Sequence, residues 1–159
     1  MDSSGGLDTK ELGNLGEKIA CEYLVKKGYK ILAKNYRISF GEIDIIAKKK
    51  FTLLNKISQI LTFTFWQKLF NRVATNNNHD KTIHFVEVKT LLGSNESFAP
   101  EERVDYKKQR KLRQMSQIWL EKNKFNQRYP YQIDVIGILI NENTKKAKLR
   151  YFPNAVEDV

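Results

Sequence analysis

The fold of this chain is decided by the stretch IHFVEVKT at residues 83–90. It is rich in β-branched and aromatic residues, which is typical of a strand in a pleated sheet. Because side chains two apart in a strand point to the same face, Glu87 and Lys89 share a face. Apolar side chains would be buried on such a strand at lower cost, so these two charges call for a specific role.

Strand patterns continue on both sides of this stretch. Upstream, residues 41–47 (GEIDIIA) and 29–33 (YKILA) predict two further strands. Downstream, residues 131–140 predict a strong strand and residues 147–152 a weaker one. The chain therefore contains five predicted strands.

Two helices complete the pattern. The first is capped by Asp8, with Glu11 in capping-box relation, and ends at Gly28. The second opens at Pro100 and carries an inward face of Val104, Leu112, Met115, Ile118 and Trp119. The resulting order α-β-β-β-α-β-β predicts an α/β (α+β) fold with a mixed sheet flanked by helices.

The 159 residues correspond to one domain. Residues 1–9 are interpreted as a flexible tail and residues 10–156 as a single domain. Within it, residues 51–81 are longer than a connection between neighbouring strands needs, and they predict a helical or hairpin insertion. Its apolar residues recur on two helical faces, so both faces need partners. Packing on its own sheet, a homodimer or protein-docking surface, and, least favoured, membrane contact stay open.

Charge and cysteine content restrict the class of protein. The chain has 28 Lys and Arg against 18 Asp and Glu, a net charge of +10, which indicates a polyanionic partner such as nucleic acid or a solvated basic surface. Cys21 is the only cysteine, which excludes an internal disulfide and a cysteine-built zinc site. No apolar run reaches the roughly 18 residues of a membrane span, and the N-terminus lacks a signal-peptide pattern. We therefore expect a cytoplasmic protein.

Acidic side chains on two neighbouring predicted strands suggest a cation site. If these strands pair, Asp44 lies beside Glu87 and Lys89. Lys89 could then form a structural ion pair with Glu87, or a divalent metal could lie between Asp44 and Glu87 and leave Lys89 for an anionic substrate. Glu17, at the edge of the packing face of the first helix, favours the metal. Oxygen ligands without cysteine suit Mg²⁺ or Mn²⁺.

Seven short motifs stand along the chain: LGE at 15–17, GY at 28–29, NYR at 35–37, GEIDIIA at 41–47, FVEVKT at 85–90, VDYKKQ at 104–109 and FPNA at 152–155. Together they resemble the YraN family, an uncharacterised bacterial family related to the PD-(D/E)XK nucleases on the side of the Holliday-junction resolvases. The resemblance implies a restriction-endonuclease-like αβββαβ core and metal-dependent hydrolysis of phosphodiester bonds.

The resemblance also implies a role for each site residue. Asp44 and Glu87 would be the ligands of Mg²⁺ or Mn²⁺, with the Val88 carbonyl as a third ligand and Glu17 as an outer or second-metal carboxylate. Lys89 would orient the attacking water and stabilise charge on the phosphorus.

A basic stretch in the second helix predicts contacts with nucleic acid. The candidate residues are Lys107, Lys108, Gln109, Arg110, Lys111 and, on the first hairpin, Arg37. Lys108 and Gln109 also fall in the region where related resolvases place a residue that supports the site. A solvated helix face explains the same pattern without a partner, whereas several phosphate contacts would make binding steeply salt-dependent.

Asp134 and His84 are polar residues within predicted strands. We interpret Asp134 as a buried, hydrogen-bonded acid rather than a metal ligand. His84 faces away from Glu87 and Lys89 and is a poor ligand candidate.

The leading hypothesis is a metal-dependent endonuclease that acts on DNA, with branched DNA as a candidate substrate. One alternative is a nucleic-acid-binding module that does not cleave. The other is an interaction protein that acts through residues 51–81.

Overall fold

The computed structural model describes residues 8–50, 81–93, 104–126 and 128–156. The elements of these residues are α1 (Thr9–Lys26), β1 (Tyr29–Ile38), β2 (Gly41–Lys49), β3 (Ile83–Leu92), α2 (Tyr106–Lys122), β4 (Tyr131–Ile140) and β5 (Ala147–Val156). Their order is the one predicted from the sequence.

Helix α1 begins at the predicted cap. The Asp8 carboxylate accepts the Glu11 backbone N–H at 2.7 Å, and the Asp8 backbone N–H donates to the Glu11 carboxylate at 3.0 Å. This reciprocal pair satisfies two backbone donors at the helix start. At the other end, Gly28 has a φ of 86°, which glycine adopts at little cost, and the chain turns directly into β1.

The five strands form one sheet in the order β1-β2-β3-β4-β5. The pairs β1–β2, β2–β3 and β4–β5 are antiparallel, and β3–β4 is parallel. Parallel neighbours need a crossover connection, and α2 lies between these two strands in the chain. The described residues thus form an α+β fold with a mixed sheet.

Two apolar clusters cover the opposite faces of this sheet. Leu24 of α1 packs in one cluster with Val86, and Leu112 of α2 packs in the other with Phe85. The neighbouring residues Phe85 and Val86 thus point to different faces, as the alternation of a strand requires. Phe85 also meets Trp119 of α2 edge-on, with ring centroids 5.7 Å apart.

The start of the second helix differs from the prediction. Helix α2 begins at Tyr106 rather than Pro100, and Asp105 caps it by accepting the Lys108 backbone N–H at 2.7 Å. Val104 precedes the helix but is still buried in the core, 4% exposed. Val104 is therefore a core residue, as predicted, but it is not part of the helix.

Strands β1 and β5 are longer than predicted, because their pairing with β2 and β4 continues to Ile38 and Val156. Most of the predicted tail (residues 1–7) and of the predicted insertion (residues 51–80) lies outside the described residues. Helix α1 already begins at Thr9. Neither helix in the described part of the chain combines the length and the apolar character needed to cross a membrane.

Candidate functional site

The two predicted acid ligands lie where the pairing of β2 with β3 ends. The last paired residues are Ile45 and Val86, and Asp44 and Glu87 are their immediate chain neighbours just beyond this pair. Beyond this pair, the side chain of Asp44 links β2 to β3, because its Oδ2 accepts the Val88 backbone N–H at 2.7 Å. Asp44 is 8% exposed and Glu87 only 2%. The strands therefore bring two carboxylates together inside the protein.

Glu87 is balanced by two lysines. Lys89, two residues further along β3, donates a hydrogen bond from Nζ to Oε1 of Glu87 at 2.7 Å. Lys108, in the first turn of α2, places its Nζ 2.9 Å from Oε2. A buried carboxylate without a cation is costly, so these two contacts account for its burial on β3. The Glu87–Lys89 ion pair, one of the two alternatives that the sequence left open, is present, with Lys108 as a second cation.

The neighbouring acids change the ionisation of Asp44. Burial and the charge of Glu87 raise the pKa of Asp44 to about 7 from an ordinary value of 3.8. The Val88 N–H and the charge of Lys108 act in the opposite direction, and Glu17 adds a further small increase. Asp44 therefore takes up or releases a proton near neutral pH.

Glu17 reaches this region because α1 packs closely on β3. A Cβ on Gly16 would overlap the side chain of Thr90, so only glycine allows this approach. Glu17, the next residue, is half-buried and acts on Asp44 through its charge. The close packing of α1 thus brings a third carboxylate near the acid pair.

The donor set decides whether a divalent cation fits here. Proteins commonly hold Mg²⁺ with one or two carboxylates, and waters and substrate phosphates complete the coordination. Oε2 of Glu87 is buried and accepts no hydrogen bond from any described residue. Among the same residues, no three His, Cys, Asp or Glu side chains form a metal-binding group. The acid pair therefore fits a site with two carboxylates, and Glu17 acts from a longer range.

Comparison with known proteins identifies the family. The family sequence model described as "Uncharacterised protein family UPF0102" matches residues 16–138, more than half of the chain. The chain belongs to the UPF0102 family. A UPF0102 protein of Alkaliphilus oremlandii is 37% identical over 147 residues, which cover 92% of this chain and 97% of the relative. A UPF0102 protein of Caldanaerobacter subterraneus is 35% identical over 150 residues, with 94% and 97% covered. The YraN-like resemblance is thereby confirmed.

The basic residues of α2 in this UPF0102 protein have different environments. Lys107 and Arg110 are exposed, and Lys111 is half-buried. Lys108, predicted to contact nucleic acid, instead lies against Glu87. The exposed residues are therefore the ones available to a polyanion.

Two other predicted nucleic-acid contacts are engaged within the UPF0102 chain. The Gln109 side chain donates to the Val104 carbonyl at 2.9 Å and thereby fixes the entry to α2. Arg37 lies with Nε 2.8 Å from Oε2 of Glu42, in an exposed ion pair. Gln109 therefore has a structural contact, and the charge of Arg37 is partly neutralised.

A second buried polar cluster lies on the side of the sheet covered by α1. Its centre is Asp134, which is fully buried and accepts hydrogen bonds from Gln132, Tyr151 and the Asn154 backbone at 2.6, 2.7 and 2.8 Å. His84 Nδ1 lies 2.8 Å from Asp134 Oδ2, and since a carboxylate only accepts, the proton is on Nδ1. The interpretation of Asp134 as a hydrogen-bonded buried acid is confirmed.

This cluster also affects Tyr151 and His84. Burial and the neighbouring Asp134 carboxylate raise the pKa of Tyr151. The Nε2 atom of His84 is buried without a hydrogen-bond partner among the described residues, and the Tyr29 ring meets the imidazole edge-on at 4.9 Å. Sequence reasoning missed this partnership. The parallel register that places His84 beside Gln132 and Val86 beside Asp134 is the signal that reveals it.

Proposed function

We propose that this chain is a metal-dependent hydrolase of phosphodiester bonds in DNA, related to the PD-(D/E)XK endonucleases. The observation that carries the proposal is the pair of buried carboxylates, Asp44 and Glu87, on adjacent strands beside Lys89. Two neighbouring buried acids attract positive charge, and phosphoryl transfer uses a divalent cation and an ammonium near the phosphate. The α-β-β-β-α-β order of the described elements also agrees with the nuclease core that the motifs imply.

Asp44 and Glu87 would hold Mg²⁺ or Mn²⁺, and the Val88 carbonyl would supply a further oxygen. In an extended strand, the N–H and C=O of one residue point towards the same neighbouring strand. Because the Val88 N–H points to Asp44, its carbonyl faces the same side. When bound, the cation neutralises charge on a phosphoryl oxygen and activates water.

The side chains of the protein would provide positioning. Lys89 is half-buried next to Glu87, so its ammonium can donate to a phosphate oxygen at the acid pair and stabilise the charge that develops there. Lys107 and Arg110 would bind the DNA backbone along α2. Contacts to phosphates do not read the base sequence, so we expect recognition of DNA shape, with branched DNA as a candidate substrate.

A cleavage assay tests this proposal. Supercoiled plasmid and a synthetic four-way junction are incubated with Mg²⁺ or Mn²⁺ and wild type, Asp44→Asn or Lys89→Ala. We expect both variants to lose about 100-fold or more in rate. Glu42→Gln, which changes an exposed acid on the same strand, is the control and should retain activity. Equal nicking by all four proteins would indicate a contaminant, and no cleavage by wild type would refute the proposal.

The ion pairs of Glu87 favour a second candidate, a nucleic-acid-binding module that does not cleave. With Lys89 and Lys108 in place, Glu87 is compensated without a metal. DNA binding that depends on salt but not on Mn²⁺, with no turnover, would identify this function. The third hypothesis, an interaction or homodimer through residues 51–81, concerns residues 51–80 outside the described part and stays a prediction, as does membrane contact there.

A further inference from the structure

Lys108 is the ammonium that acts on both acids of the candidate metal site. Its Nζ lies 2.9 Å from Oε2 of Glu87. Its charge also lowers the pKa of Asp44, against the larger effects of burial and of Glu87. Lys108 thus provides, in a single positive charge, the compensation that a divalent cation would give to the pair.

The contact between Lys108 and Glu87 is suited to exchange. Lys89 makes a hydrogen bond to Oε1, whereas Oε2 accepts none although the Lys108 ammonium is close. The Lys108 side chain is 27% exposed, so water and ligands can reach it. Its backbone is fixed, because the N–H donates to the Asp105 cap at 2.7 Å. Only the side chain would have to move for Lys108 to leave Glu87.

We propose that Lys108 is a displaceable counter-ion that couples metal binding to DNA binding at this site. The inference rests on the metal site of the proposed function but does not require cleavage. Without Lys108 the buried Glu87 would keep Lys89 as its described cation but lose a second positive charge, so Lys108 leaves when a divalent cation replaces that charge.

The released ammonium joins Lys111 on α2, where a DNA phosphate accepts it. Lys111 lies three residues on, so it is a neighbour of Lys108 on the helix surface. Because binding equilibria are reciprocal, a phosphate that draws Lys108 away from Glu87 strengthens metal binding by the same factor. Lys108 thus pairs with Glu87 before the metal and DNA bind, and with a DNA phosphate afterwards.

Calorimetric titration of the protein alone with Mn²⁺ tests the first half of the exchange. Lys108→Met keeps the apolar stem and removes the charge, and we expect it to bind Mn²⁺ about tenfold more tightly than wild type. Lys107→Met makes the same change in net charge at the exposed neighbouring position and should bind Mn²⁺ as wild type does. Lys108→Arg keeps the charge and should restore the weaker binding.

Fluorescence anisotropy with a phosphorothioate-protected DNA duplex tests the coupling. Mn²⁺ should strengthen DNA binding by wild type, and the enhancement should fall about tenfold in Lys108→Met. Circular dichroism checks that each variant folds, and Lys108→Gln replaces Lys108→Met if the latter does not.

The outcomes separate this inference from the proposed function. Equal Mn²⁺ affinity of wild type, Lys107→Met and Lys108→Met overturns the exchange and leaves the metal site standing. Mn²⁺ binding by none of the proteins overturns the metal site and the exchange together. The expected Mn²⁺ and DNA results without plasmid cleavage would support the exchange and refute catalysis.

Discussion

The Asp44 carboxylate accepts the Val88 backbone N–H at 2.7 Å, just beyond Ile45 and Val86, the last backbone pair of β2 and β3. A side chain thus satisfies a backbone donor at the point where the ladder stops. The hydrogen bond holds Asp44 beside Glu87, where burial and a like charge oppose its ionisation. This placement therefore makes the ionised form of Asp44 unfavourable in the folded protein.

The raised pKa of Asp44 predicts a pH-dependent stability. The carboxyl ionises near 3.8 in an unfolded chain and near 7 in the folded one, so between these values the folded state holds the extra proton. The free energy of unfolding should therefore fall as the pH rises from about 4 to about 7, and level off above. Asp44→Asn should remove most of this slope and, at about pH 8, exceed wild type by at most a few kcal/mol, at about 1.4 kcal/mol per pKa unit.

Urea denaturation of both proteins across this range, without divalent cations, measures the difference. Parallel pH profiles for wild type and Asp44→Asn would contradict the assignment of the slope to Asp44.

The close approach of α1 to β3 predicts opposite effects at two glycines. Gly16→Ala places a methyl group into Thr90 and should lower the free energy of unfolding by about 1–3 kcal/mol. Gly13 lies on the same helix with open space around it, so Gly13→Ala should raise stability by about 0.5–1 kcal/mol. Denaturant unfolding of the two variants measures both. The same sign for both substitutions would be inconsistent with the packing of α1.

The Asp134 cluster predicts a specific loss for Tyr151→Phe. This change removes one hydrogen-bond donor from a fully buried carboxylate and should lower the free energy of unfolding by about 1 kcal/mol or somewhat more. Tyr106→Phe is the matched control, since Tyr106 is 73% exposed. Thermal or urea unfolding checks the difference, and Mn²⁺ binding should not change in either variant. An equal effect of both substitutions would contradict a specific contribution of the Tyr151 hydroxyl to stability.

The exposed basic residues of α2 predict the salt dependence of DNA binding. If α2 binds DNA as proposed, Lys107→Ala and Arg110→Ala should each reduce the slope of log K against log salt by about one, because each would remove a phosphate contact. Arg37→Ala should change the slope less, since Glu42 already neutralises Arg37 in part. Anisotropy titrations of a DNA duplex at several salt concentrations measure the slopes. A larger effect of Arg37→Ala than of the two α2 substitutions would indicate that DNA binds at the β1–β2 hairpin and not along α2.

The neighbourhood of Asp44 and Glu87 could be predicted from the sequence. The two-residue period of a strand and the pairing of consecutive strands were sufficient to place them together. The contact of Lys108 with Glu87 could not, because it depends on how α2 crosses the sheet. Pro100 also gave a stronger local signal for a helix start than Asp105, although Asp105 is the residue that caps α2.

The contacts of Asp134 were also beyond local pattern reasoning. The sequence shows an acid in an apolar strand, which predicts a hydrogen-bonded network but names no partners. Tyr151 and Asn154 reach Asp134 because the pairing of β4 with β5 shifts between Ile133 and Val135. Such an irregularity depends on the three-dimensional alignment of two strands, which a single sequence does not specify.

The hydrogen bonds of Asp134 have a consequence for β5, one of the two edge strands of the described sheet. Sliding β5 by two residues along β4 would keep apolar side chains on their faces, so hydrophobic alternation alone does not forbid it. The slide would, however, remove Tyr151 and Asn154 from a carboxylate that water cannot reach. One interior acid thus selects a single alignment of β5 on β4.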